Sequence, residues 1–542
     1  MNAPAPHPPL SGGKLALGTL ALSLATFMNV LDTTIANVSI PAISGDLGVS
    51  SSQGTWVITS FAVANAIAVP LTGWLTQRFG QVRLFITSVL LFVLASLLCG
   101  LAPNLEMLIA FRVLQGAVAG PMIPLSQALL LSSYPPAKSG MALAMWSMTT
   151  MVAPVIGPIL GGWLSDNVSW PWIFYINVPF GLLAAWATWR IYQDRDSPTR
   201  QLPIDKIGLV LLVLWVGALQ IMLDKGKELD WFNSGEIVAL GLVALVSFVL
   251  FLVWELTEAH PVVDLSLFTR RNFVTGTLTL SVAYSLFFGG ILIIPLWLQT
   301  QMGYTATLAG LTAAPVGILA LLLSPVIGKL LPRLDARAIA SVSFVVLATV
   351  SFMRAGFTTG ADNFTVMLPQ IVLGAGMATL FLPLTAILLS GLHPSRIPAA
   401  SGLSNFCRIT AGAFGASIAT TVWEDRTTLH HAQLVEQITP FHPAATQARD
   451  GLMGAGLSPE QSLATLDRLV TGQAGVLAAN EYFWLSGFLF LTLLALVWLL
   501  QVWGLLLLEL VLPTLAVAVA QWGCRLLPGL WWRPVGSCPA VV

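Results

Sequence analysis

Windows of about 20 apolar residues, the length that crosses a bilayer as a helix, recur along almost the whole chain, and no other feature restricts its fold as strongly. They fall at 15–41, 56–75, 84–101, 108–131, 141–164 and 172–191, then as a middle pair at 207–222 and 237–256, then at 273–298, 308–330, 338–353, 366–389, 400–423 and 483–503. That makes about fourteen spans, six plus two plus six, so the sequence predicts an all-α polytopic membrane protein. Composition agrees: 56% of residues are hydrophobic and 9% charged, against roughly 25% charged in a soluble protein. Mean hydropathy is +0.83. Formal net charge is zero and no long Lys/Arg run occurs, which sets nucleic-acid binding aside.

Residues 1–14, MNAPAPHPPLSGGK, read as a short cytoplasmic tail. The apolar segment after it outlasts a signal-peptide core and has no small-residue cleavage site, which predicts a retained first helix. With that tail inside, the short inner loops hold Arg78, Arg83, Lys138, Arg190, Arg195, Arg200, Arg270, Arg271, Lys329, Arg333, Arg337 and Arg396, and the short outer loops only Lys225, Lys227 and Arg354. Both ends of a fourteen-span core are therefore expected inside. Cys99, Cys407, Cys524 and Cys538 lack metal-ligand spacing, and His430, His431 and His442 read as solvated; no metal is expected.

The chain repeats itself. Gly48, Pro70, Gly73 and Arg78 recur as Gly303, Pro325, Gly328 and Arg333, each 255 positions on. MIPLSQALLLSSYPPAKSG (122–140) reads against FLPLTAILLSGLHPSRIPAASG (381–402), about 259 positions on. Two like-oriented halves are the plan of a rocking secondary transporter with its site between them. The expected organisation is a six-helix half at 15–200, two linker helices at 201–260, a second six-helix half at 261–503 with an outer excursion at 424–481, and an apolar tail at 504–542 that is either a further span or a shifted reading frame. The excursion is expected to be a small helical one, with a helix start at Ser458-Pro-Glu-Gln in its tail, Ser458–Leu469.

Where the halves differ, function is the expected reason. Asp32 lies in the first span although a carboxylate in hydrocarbon costs at least about 2.5–3.5 kcal/mol. Thr26, Asn29, Thr33 and Asn37 form a polar stripe beside it, so this helix is expected to face a protein interior. The fourth span holds Arg112 and, one turn on, Gln115; the matching PQIVLGAG has no cation. The second half's own intramembrane cation is Arg408. Each arginine reads either as a structural tie or as part of a site, and Asp32 either as a permanent partner of Arg112 or as a proton carrier whose affinity changes with conformation. The fifth span reads MVAPVIGPILGG; Ala153, Gly157 and Gly161 share one face, and Pro154 and Pro158 bend the helix. This is either close packing with a kink or a functional motif.

These stretches resemble the major facilitator superfamily, and within it the fourteen-helix drug:proton antiporters of the EmrB/QacA type. LDTTIANVSIP (31–41) is similar to the family's first-helix motif, and GWLTQRFGQVR, through Gly73, Leu75, Arg78, Gly80 and Arg83, to its loop 2–3 gating signature. FRVLQGAVAG resembles the fourth-helix motif through Arg112, Gln115, Gly116 and Gly120, and APVIGPILGG the antiporter motif through Pro154, Gly157, Pro158, Gly161 and Gly162. The resemblance implies a bacterial inner-membrane pump that expels hydrophobic or amphiphilic drugs in exchange for protons. It implies no cofactor beyond the proton gradient, and partnership with a periplasmic EmrA-like adaptor and a TolC-like outer-membrane channel. Proton coupling is assigned to Asp32 and Arg112, with Asn29, Thr33, Asn37, Gln115 and Arg408 as supporting polar residues, and the bent fifth helix is expected to seal the interface between the halves. Gln77 stands where the loop signature usually has an acid, and Ala153 where the antiporter motif has its first glycine.

ATP-driven export fails because no Gly-Lys pair continues into Ser or Thr as a P-loop needs. A membrane enzyme lacks HExxH, GxSxG and a cytoplasmic domain. A proton-coupled transporter of a lipid or a specific metabolite on the same fold remains the alternative.

Overall fold

The computed structural model describes residues 8–526, apart from 201, 202, 437 and 440. Among them no strand occurs. The first half comprises α1 (Gly12–Asp46), α2 (Trp56–Ala68), α3 (Thr72–Phe79), α4 (Gln81–Gly100), α5 (Leu105–Ala119), α6 (Met122–Ser133), α7 (Ser139–Asn167) and α8 (Trp172–Tyr192). The linker pair is α9 (Lys206–Lys225) and α10 (Gly235–Thr257). The second half is α11 (Arg271–Thr300), α12 (Ala306–Ala313), α13 (Val316–Leu330), α14 (Ala336–Arg354), α15 (Asn363–Leu389), α16 (Ile397–Val435), α17 (Pro443–Gly454) and α18 (Pro459–Leu526).

Proline explains the broken spans. The expected span 56–75 bends by 62° between α2 and α3, where Pro70 supplies no N–H and its ring clashes with the preceding turn. Pro121 and Pro315 mark the α5/α6 and α12/α13 joins in the same way. Among the described residues, eleven helices are long and apolar enough to cross a membrane, thirteen with the two bent pairs counted as single spans. The remaining expected span, 400–423, is α16, whose polar positions lower its hydropathy and are buried in protein: Ser401, Ser404, Asn405 and Arg408.

The excursion is a helical stem, longer than the small helical element expected: α16 runs out to Val435, α17 follows, and α18 begins at Pro459 and continues into the last span. The start at Ser458 is a capping box, with Gln461 N donating to Ser458 Oγ (3.2 Å) and Ser458 N to Gln461 Oε1 (2.9 Å). His430 pairs with Glu481 and His431 with Asp467, both at 3.0 Å. The question posed by residues 504–542 lies outside the described side chains.

The repeat appears in the packing. Helix α1 lies along α7 as α11 lies along α16. Gly48 and Gly303 both end their turns at positive φ (66° and 68°), where a Cβ is strained. Gly73 and Gly328 do equivalent work between the halves: a Cβ on Gly73 would sit 2.6 Å from that of Ala399 on α16, and one on Gly328 2.8 Å from that of Ala144 on α7. The linker pair bridges the halves at its outer end. Asp224 accepts from Thr59 and Lys225 donates to Thr55 in the first half, while Leu223 O accepts from Ser417 (2.9 Å) and Lys227 pairs with Glu424 (2.7 Å) in the second.

Candidate functional site: a buried carboxylate and its donors

Asp32 projects from the middle of α1 into the core of the first half, away from the junction between halves, and its side chain is fully buried. Arg112 of α5 donates from Nη1 to Asp32 Oδ2 (2.6 Å). Gln115, one turn on along α5, donates to Asp32 Oδ1 (3.0 Å), and Asn177 of α8 donates to the same oxygen (2.9 Å). Ser96 Oγ on α4 accepts from Gln115 and Asn177 (2.7 and 3.2 Å). Arg112 also donates from Nε to Val57 O (2.9 Å) and from Nη1 to Gln115 Oε1 (2.6 Å). Its guanidinium lies 4.2 Å from the Phe61 ring centroid.

The sequence therefore finds Asp32, Arg112 and Gln115 and misses Asn177 and Ser96. The available signal for Asn177 is an amide inside an otherwise apolar helix, INVPF. The supporting residues fare differently. Asn29 ties α1 to α5 through Ala119 O (3.0 Å) and does not touch Asp32. Thr33 bonds Val30 O of its own helix, and Asn37 is exposed. The polar stripe is thus a separate face from the one that carries the carboxylate.

The fifth-helix motif sits against the same stretch of α1. Helix α7 bends by 43° between Pro154 and Ile159, and its small face meets α1 two to three residues past Asp32. A Cβ on Gly161 would lie 2.7 Å from Ile35 O, and one on Gly157 would overlap Thr34. Gly162 meets only Val38, at 3.9 Å. Pro158 lies in the helix, but its side chain is outside the described residues. The seal between halves comes from the other end of α7, where Gly140 and Ala144 meet Gly328, and the motif glycines pack within their own half.

In the loop 2–3 motif, Gly80 has φ of 88° and leaves room for Asp196, whose Oδ1 accepts from Val82 N (2.8 Å) at the start of α4. Arg83 pairs with the same carboxylate at 3.5 Å, and Arg78 lies over the Trp74 ring (5.4 Å). The acid missing at Gln77 is thus supplied from after α8, too far along the chain for the loop sequence to show.

Arg408 stands apart, on α16. It is buried, donates to Asn405 Oδ1 (2.8 Å), and lies over the rings of Tyr284 (4.7 Å) and Phe381 (5.6 Å).

The family model described as Major Facilitator Superfamily matches residues 22–416. The chain is 54% identical over 498 residues to the multidrug export protein EmrB of Haemophilus influenzae, covering 92% of this chain and 98% of that one. It is 50% identical over 493 residues to the fatty acid resistance protein FarB of Neisseria gonorrhoeae, covering 91% and 97%. Among solved structures, the human organic anion transporter MFSD10 superposes with a TM-score of 0.55 at 12% identity, covering 89% of this chain and all of that one, a likeness of fold alone.

Proposed function

The chain belongs to the Major Facilitator Superfamily, and from that premise we propose that it exports hydrophobic and amphiphilic compounds by alternating access, in exchange for protons carried by Asp32. That it is a multidrug efflux permease follows from its identity to EmrB along nearly the full length of both chains. It is a multi-pass membrane protein and a transporter in class. The antiport chemistry, the bacterial inner membrane as its site, and a periplasmic adaptor with an outer-membrane channel as partners are the finer parts of the proposal.

The observation that carries proton coupling is the environment of Asp32. Two carboxylates are buried among the described residues, Asp32 and Glu255, and Glu255 belongs to the linker pair. Asp32 receives three donors from α5 and α8, all within its own half. Rocking of the halves reaches this site by shifting α1 against α5 and α8, which withdraws Arg112 or Asn177 from a carboxylate that stays buried. A proton is then taken up in one conformation and released in the other. The proline bend and glycine face of α7 lie against α1 beside this carboxylate and give the movement a route to it.

An imposed pH gradient across proteoliposomes holding the purified protein, without nucleotide, tests the reading. Movement of a lipophilic cation against its gradient, abolished when the pH gradient is collapsed, is expected; transport that ignores the pH gradient overturns it. The stem of α16, α17 and α18 is the proposed adaptor contact, and deleting 426–475 is expected to abolish co-purification with the adaptor.

A further inference from the structure

Arg408 is a cation without a counter-charge. Its side chain is buried, its one hydrogen bond goes to an amide oxygen on its own helix, and it makes no ion pair among the described residues. Faces of Tyr284 and Phe381 offset part of the desolvation cost, but a buried charge is normally paired. It lines a tight seam between the halves with about 10 Å³ of open space, bordered by Gln127 of α6 and Trp146 of α7 on one side and by Leu280, Phe381 and Leu388 on the other. Trp146 supplies the second observation. The residue is 3% exposed, and its Nε1–H has no hydrogen-bond partner among the described residues. An indole N–H can only donate, and so can a guanidinium.

We propose that this seam is the headgroup site for anionic cargo: the carboxylate of an amphiphilic weak acid pairs with Arg408 and accepts from Trp146 Nε1, while its apolar body lies against Leu280, Phe381 and Leu388. The inference rests on the export reading above and names a cargo class for it. In this conformation the seam is closed down to about the space of one water; the headgroup and the body of the guest are accommodated as the halves part. The two donors come from opposite halves, Trp146 from the first and Arg408 from the second. A bound carboxylate therefore bridges the surfaces that rocking separates, and anion affinity differs between the two conformations, as transport requires.

The test compares decanoate with tetraphenylphosphonium in proteoliposomes, and equilibrium binding of decanoate to the purified full-length protein. Arg408→Gln is expected to raise KM for decanoate about tenfold or more relative to that for tetraphenylphosphonium, with Arg408→Lys recovering part of the loss. Trp146→Phe, which keeps the ring and removes the donor, is expected to move the same ratio about threefold to tenfold; it carries the test if Arg408→Gln does not insert stably. An unchanged ratio in both variants overturns the inference and leaves the export reading intact. Decanoate binding that weakens in Arg408→Gln, in a protein whose transport ignores the pH gradient, sustains the headgroup site and overturns the coupling.

Discussion

The two halves answer the same structural question differently at one position. Asp32 of the first half corresponds, 255 residues on, to Phe287 of the second. Gly116 packs on Phe61 O as Gly374 packs on Val316 O, and Asn104 and Asp362 cap α5 and α15 alike, which places Gln370 opposite Arg112. The second half still buries a cation there, but it comes from α14. Arg354 donates to Gln370 Oε1 (2.7 Å) and lies 5.4 Å from the Phe483 ring centroid, with Phe287 lining the same void. The helical scaffold thus closes equally well around a phenyl ring as around a carboxylate with three donors. A buried ion pair is in any case a weak source of stability compared with apolar packing. On the proposed reading, the first half keeps Asp32 for coupling and not for folding.

The contrast breaks first at the cations. Arg112→Ala leaves Asp32 buried without its counter-charge and is expected to cost about 3–5 kcal/mol and to abolish transport, whereas Arg354→Met, which strands the Gln370 amide oxygen and no carboxylate, is expected to cost about 1–3 kcal/mol. Thermal unfolding of the two purified variants reads the difference, and equal losses contradict the asymmetry. Next comes the α1–α7 contact. Gly161→Val drives a side chain into Ile35 O and should cost about 1–3 kcal/mol with a large fall in transport rate; the looser Gly162→Ala is expected to be nearly silent in the same assay. Asn177→Ala removes one hydrogen bond to the carboxylate, worth about 1.5–3 kcal/mol, and should lower proton-driven transport about tenfold while the fold persists in circular dichroism. Asp196→Asn, at the start of α4, is the smallest, about 0.3–1 kcal/mol, seen as a slight drop in unfolding temperature.

Much of this was legible in the sequence. Apolar windows located the spans because a bilayer imposes one length, and the matched Gly73 and Gly328 disclosed the repeat, while their place at the close approaches of the halves shows only in the packing. Asp32, Arg112 and Gln115 stood out because polar residues are costly in hydrocarbon. Asn177 and Ser96 did not, since small neutral polar residues are common in spans and only the fold reveals that they converge on one carboxylate. Arg354 was taken for a loop residue because it ends its helix; burial against Phe483 appears only when α18 is in place. The outer excursion reads as helical in part, but its polar sequence hides that α16 and α18 continue beyond their spans.

Proton-driven efflux from inverted vesicles, with Asp32→Asn compared against wild type at matched expression, tests the central claim most directly. Asn replaces the carboxylate with a neutral group of the same shape. If Asp32 carries the proton, the variant reaches the membrane, binds cargo and no longer responds to an imposed pH gradient. If the variant transports in step with that gradient as wild type does, Asp32 is a structural partner of Arg112 and the coupling proton is carried elsewhere.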